Sequence, residues 1–230
     1  MAIGKRHMGV SAVAVFAFGT QLGAQSLEAV FARLDKSSQQ FKAVAADIKR
    51  DVHTAIVNDD TTETGTIKVK REKGATHMLI DFNGRDLKTV AYDGTTVSIY
   101  YPKIKTVQIY DVGDKRNVVD QFLLLGFGSS SADLQAHYDV TWVGAEAIDG
   151  KPASHIQLIP KSKDVLMRLK KAELWISDSN GMPLQQRFLT SSSGDSTLVT
   201  YTNSKLNPIL TEGSLKLSYP KGVQIQHPTL

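Results

Sequence analysis

The sequence predicts a mainly β fold: one large, strongly curved antiparallel sheet of about ten strands with two or three short helices. Three observations carry this expectation. Short runs rich in Val, Ile, Thr and Tyr recur with apolar and polar residues in alternation, and Asn-Gly, Asp-Gly and Ser-Gly-Asp steps punctuate them. Strand and helix patterns do not alternate as a parallel α/β fold requires. No repeat of fixed period divides the chain, and only Ser129 to Ser131 is of low complexity.

The first residues stand apart from the fold. Lys5 and Arg6 precede an apolar run from Met8 to Phe18 that ends near Leu22-Gly23-Ala24, the pattern of a cleaved secretory signal. The run is about a dozen residues, short of the ~20 that span a bilayer as a helix. The expectation is a signal peptide over residues 1–24 and a single domain over 25–230, exported to the periplasm. An apolar helix of the mature fold is the plainer alternative. Gln25 stands where a lipidated chain would carry cysteine, so the protein is expected not to be lipidated. The chain contains no cysteine at all, which excludes disulfides, thiolate catalysis and thiolate metal ligation. Its formal charge of +4 falls to about +2 once Lys5 and Arg6 are removed, which gives nucleic-acid binding little support. Lys161, Lys163, Arg168, Lys170 and Lys171 form the densest basic cluster; acidic residues interrupt it, no aromatic ladder accompanies it, and it reads as a solvated face.

After Ser26, a suitable N-cap, Leu27, Val30, Phe31 and Leu34 recur at helical spacing and predict an amphipathic helix. A strand follows between Phe41 and Ile56, and the Asn58-Asp59-Asp60 turn leads into a second from Thr62 to Lys70. Further strands are predicted over Met78 to Phe82, Thr89 to Tyr92, Thr96 to Tyr101 and Thr106 to Asp111. Asp93-Gly94, between Val90/Tyr92 and Val97/Ile99, predicts a two-residue type I′ hairpin link. Val118, Val119, Phe122 and Leu125 share one side of a short helix that ends in Gly126-Phe127-Gly128 and three serines, read as a flexible stop. Strands resume over Tyr138 to Val143, Ala153 to Ile159, Glu173 to Ser177, Leu184 to Thr190 and Thr197 to Asn203.

The chemistry-bearing residues form no recognisable catalytic pattern. His53, His77, His137, His155 and His227 lie far from one another in sequence, so zinc spacing is absent and no metal or other cofactor is expected. There is no Gly-x-Ser-x-Gly elbow, and Gly126-Phe127-Gly128 is only a fragment of a phosphate loop. Glu63, Glu72, Asp81 and Asp86 could supply an acid and a base, but no spacing selects two of them. No catalytic residue is assigned, and a hydrolase built on Glu72 or Asp81 is the remaining enzymatic alternative.

Three motifs in order carry a resemblance. Gly65, Ile67, Lys70 and Arg71 are followed by Asp93, Gly94, Tyr100 and Pro102, and the chain closes on Leu215, Leu217, Pro220, Gly222 and Val223. This set resembles the LolA-like family of periplasmic lipoprotein carriers, whose motifs run Gly-x-Leu-x-x-Lys-Arg-Pro, Asp-Gly-x-x-x-x-x-Tyr-x-Pro and Phe-x-Phe-x-x-Pro-x-Gly-Val. Glu72 replaces the family's proline and Ser98 its frequent tryptophan.

The resemblance implies an unclosed β-barrel whose apolar concave face is covered by short helices. It implies a non-enzymatic, monomeric carrier that binds the acyl chains of lipoproteins and shuttles them to the outer membrane. Its transient partners would be an inner-membrane releasing complex and an outer-membrane acceptor. A lipid-binding or stress-sensing module on the same scaffold is the alternative. The wall of the cavity would comprise Ile67, Val69, Leu79, Val90, Tyr92, Val97, Ile99 and Tyr101, residues that otherwise read simply as core. The lid would comprise Val118, Val119, Phe122 and Leu125 with hinges at Gly126 and Gly128; a helix plugging the core fits the same residues. Arg71 would latch the lid, a role suited to its five donors, although its local sequence alone reads rather as an exposed strand-end arginine.

Overall fold

The computed structural model describes residues 26–72, 74–116, 119, 125–190 and 194–229. Over these residues, twelve strands form one sheet. The first half supplies β1 (Ala43–Thr54), β2 (Asp59–Glu72), β3 (Ala75–Asn83), β4 (Lys88–Tyr92), β5 (Thr96–Tyr101) and β6 (Thr106–Asp111). The second supplies β7 (Tyr138–Ile148), β8 (Lys151–Pro160), β9 (Lys171–Ser177), β10 (Pro183–Leu189), β11 (Ser196–Leu206) and β12 (Gln224–Gln226). Their spatial order is β12-β6-β5-β4-β3-β2-β1-β11-β10-β9-β8-β7. Two antiparallel meanders are thus joined where β1 pairs with β11, and the sheet curls without closing, as an open half-barrel.

The alternation read from the sequence divides the two faces. Register sets Ile67 opposite Ala46 and Ile80, and Tyr92 opposite Met78 and Val97, so these residues share the concave side. At Gly65 the neighbouring strand approaches closely: a Cβ there would stand 2.1 Å from the Asp81 carbonyl oxygen, a distance only glycine permits.

Among the described residues, the helices α1 (Leu27–Gln40), α2 (Ser131–His137) and α3 (Lys163–Leu166) flank the strands. Ser26 caps α1 as expected, accepting from the Ala29 N–H. Val30 and Leu34 of α1 and Leu134 of α2 bury against Ile156, Leu158, Leu174 and Ile176. Arg33 fixes α1 to the sheet by donating to Ser154 Oγ at 2.7 Å and pairing with Asp178 at 3.0 Å.

Several local expectations change. The link after β4 is Asp93-Gly94-Thr95, not a two-residue type I′ turn: Tyr92 pairs with Val97, and of the link residues only Gly94 has positive φ. The Asp93 carboxylate accepts from the N–H groups of Thr95 and Thr96, which makes the longer turn self-supporting. Burial works against ionisation there, but these donors outweigh it and hold the carboxyl below its ordinary range. The serines after Gly128 are not a loose stop. Ser130 and Asp133 form a capping box at the start of α2, and Asp35 of α1 accepts from the Ser131 N–H at 2.7 Å and its hydroxyl at 2.8 Å. The closing motif leads to β12, which adds to β6 in parallel, a pairing that local patterning does not announce. The predicted signal peptide lies outside the described residues, as does the predicted 117–125 helix apart from Val119 and Leu125.

Candidate functional site

The concave side holds an apolar trough of about 400 Å³, bordered by Ile48, Ile67, Met78, Ile80, Phe82, Phe188, Val199 and Tyr201 and, from beside α3, by Leu169. These residues come from five adjacent strands, β3, β2, β1, β11 and β10, so their convergence depends on the curl.

One end of the trough is closed by the Leu125–Gly128 segment. Gln186 Nε2 donates to the Leu125 carbonyl while Gln186 Oε1 accepts from the Tyr201 hydroxyl at 2.8 Å, so one buried amide satisfies partners on two elements. Complete burial pushes the Tyr201 phenol far above its ordinary pKa and keeps it a neutral donor. Phe127 meets Tyr201 edge to face at 4.8 Å. Gly128 lies against the Phe41 ring so closely that a Cβ would fall 2.4 Å from Phe41 Cδ1, and its φ of +70° is one that glycine adopts without strain.

At the other end stand charges. Glu63 is buried and is bound by Arg50 at 2.6 Å and by Lys88. Burial opposes ionisation, yet the hydrogen bonds from Lys88 and Arg50 prevail and hold the Glu63 carboxyl below its ordinary range. Arg50 and Arg168 line the trough itself.

The predicted wall divides accordingly. Ile67 borders the trough. Val69 and Tyr92 belong to the same concave core, with Val90 and Val97 packed against it. Ile99 and Tyr101 are half-buried at register positions on the face of Val97. Leu79 is a correction: it occupies the opposite face, packed with Ala91 and Leu215 under the C-terminal segment. Its neighbours Met78 and Ile80 face the trough, and a one-residue step reverses the face. The contributions of Ile48, Phe188, Val199 and Tyr201 escaped the sequence reading; alternation marks each as inward, but nothing local brings β11, with β10 beyond it, to β1.

Of the predicted lid, Val118 and Phe122 lie outside the described residues. Val119 packs against the concave core, and Leu125 is buried in the cluster beneath α1. Gly126 and Gly128 both have positive φ. The Arg71 guanidinium sits 5.7 Å from the Phe41 ring centroid, against the ring that Gly128 touches; burial works to raise the Asp133 carboxyl, but the Ser130 hydrogen bonds and, after them, the Arg71 charge hold it below its ordinary range. Replacing the family proline by Glu72 leaves the strand regular: Arg71 pairs with Thr76 and Glu72 with Ala75, while Glu72 itself binds Lys70 at 2.7 Å. Ser98 stands on the outer face, opposite Ala91 and Ile109.

That outer face carries a second hollow of about 490 Å³ beneath Glu212, Leu215, Lys216 and Leu217. Lys70, Glu72, His77 and Asp93 line it with charges of both signs, so an acyl chain would desolvate carboxylates there, which the lining of the concave trough lacks. Among the candidate acids, Asp81 accepts from the Thr89 hydroxyl at 2.9 Å and Glu63 is held between its two cations. Among the described residues, no cluster of His, Asp and Glu could hold a metal ion.

The unclosed, curved sheet with an apolar trough on its concave face and two arginines in the trough lining defines an open half-barrel with a one-sided cavity. Residues 54–212 match the MucB/RseB N-terminal domain, and the chain belongs to that family. No curated protein matches it. Among solved structures, MucB superposes with a TM-score of 0.53 and 17% identity over 87% of this chain, which spans 66% of the MucB chain. A conserved protein of Thermus thermophilus gives the same score and identity, covering 89% of this chain and 100% of its own. The complex of Pseudomonas aeruginosa MucA and MucB matches at 0.47 and 17% identity, over 83% of this chain and 61% of that one. The first two similarities bear on the fold alone.

Proposed function

We propose that the protein is a non-enzymatic periplasmic module that binds an acyl chain in the concave trough. The observation that carries this reading is the trough itself, whose apolar walls come from five strands and whose closed end is a separately anchored segment. Its volume of about 400 Å³ lies toward the lower part of the roughly 300–1,000 Å³ range of ligand pockets, and suits one chain better than several. Each buried methylene contributes ~0.8 kcal/mol, so a chain of about fifteen methylenes gains roughly 12 kcal/mol. Release of so firmly held a cargo requires a competitor for the same space. The Leu125–Gly128 segment supplies one, with Arg71 as its latch through Phe41.

In the carrier reading, the cargo is lipoprotein, taken from an inner-membrane complex to an outer-membrane acceptor by a monomer whose signal peptide is residues 1–24. Multiply acylated cargo would then require the closing segment to move outward. Family membership favours a second reading, a lipid-responsive binding module with a protein partner, because MucB of this family forms a complex with MucA.

Mass spectrometry of material extracted from the protein purified from its own periplasm tests both. Acylated peptides support the carrier, and free lipid with a co-purifying membrane protein supports the responsive module. Protein that neither yields lipid nor binds acyl probes would overturn the trough as a lipid site.

A further inference from the structure

The open end of the trough is chemically unlike its walls. Among the described residues that line the cavity there are two arginines, Arg50 and Arg168, and no carboxylate. Arg50 shares Glu63 with Lys88, whose ammonium also lies 4.8 Å from the centroid of Phe82, a wall residue. Three cations therefore stand at this end against one buried acid, leaving an excess of two positive charges beside an apolar space. Arg168 is exposed, lines the cavity and forms no ion pair among the described residues. It belongs to the basic cluster that reads, in sequence, as a solvated face; the Leu169 beside it is buried and brings the cluster to the trough.

We propose that the mouth is a head-group site for a single-chain amphiphile with an anionic head, a carboxylate or a phosphate, contacted by Arg168 and secondarily by Arg50. This rests on the acyl-binding reading of the trough and names the ligand class it selects. The geometry separates two functions. The walls measure chain length, and the mouth measures charge. A guanidinium matches either oxyanion with paired N–H donors, which a neutral glycerol head cannot use. Partial exposure leaves the mouth sensitive to salt, whereas the dry wall is not.

Calorimetric titration of the full chain at pH 8.5 provides the test, with palmitate, 1-palmitoyl lysophosphatidate and neutral 1-monopalmitin as probes below their critical micelle concentrations. The expected result is about tenfold tighter binding of at least one anionic probe than of monopalmitin at low salt, the scale of one charge-assisted contact. The better of the two anionic probes identifies the head. In Arg168→Glu, and in the wild type at about 0.5 M salt, the same assay should read a ratio near one. Arg168→Lys should keep part of the preference. Because Arg168 is exposed, circular dichroism of these variants should match the wild type. Equal affinity for charged and neutral probes, or a preference that survives Arg168→Glu, overturns the head-group site while leaving the trough intact. Failure of all three probes to bind overturns the trough reading as well.

Discussion

Phe127 meets Tyr201 edge to face, with ring centroids 4.8 Å apart and planes at 90°. The contact ties the segment that closes the trough to β11, one of its wall strands, and Gln186 reinforces it by bonding both Tyr201 and the Leu125 carbonyl. Closure is therefore carried by one aromatic pair and one amide.

Gln186→Leu keeps the volume but leaves the Tyr201 hydroxyl and the Leu125 carbonyl without this partner in a buried site. It should cost about 2 kcal/mol of stability. Denaturant unfolding measures the loss, and hydrogen exchange should accelerate first in residues 125–130. Uniform acceleration across the sheet would show that Gln186 supports the core generally.

Gly128→Ala should be more damaging, because the new Cβ would enter the Phe41 ring and φ is +70°. A loss of about 3 kcal/mol is expected. Phe41→Leu alone should cost less, and the double variant should be more stable than the sum of the two losses implies, since a smaller partner relieves the clash. Additive losses would mean that backbone strain alone excludes alanine.

Glu63 sets a pH dependence of known sign. Its folded pKa is lowered, against the opposing effect of burial, by Lys88 and Arg50, so its contribution is fully present above its ordinary value of 4.5 and fades as pH falls through the lower folded value. Glu63→Gln should lower stability near neutrality by about 2 kcal/mol. The difference between wild type and variant should shrink as the pH falls below 4.5. Thermal denaturation across this range checks both points; a difference independent of pH would remove the ion triad as its source.

Arg71→Leu tests the latch. Loss of the cation over Phe41 should loosen the closing segment, bind cargo more firmly and slow its release to acceptor vesicles, with the sheet unchanged by circular dichroism. Unchanged release kinetics would return Arg71 to the role of an ordinary strand-end cation.

Local sequence was enough to define the elements and most of their faces. Alternation in Ile67 and Val69, helical spacing in Leu27 to Leu34 and the Ser26 cap are local signals, because side-chain direction follows the backbone period. The same locality made Leu79 look like wall, since apolar character alone does not say which face a C-terminal segment will cover. The site itself depends on long-range assembly. The trough requires β11, with β10 beyond it, to lie beside β1, about 150 residues away in sequence for the pairing of Ile48 with Tyr201. The capping box at Ser130 and the basic mouth at Arg168 likewise acquire their meaning from Asp35 and from Arg50 and Phe82, which the chain brings near only when the sheet curls. Periodicity encodes which way a residue points, while the fold alone encodes what it points at.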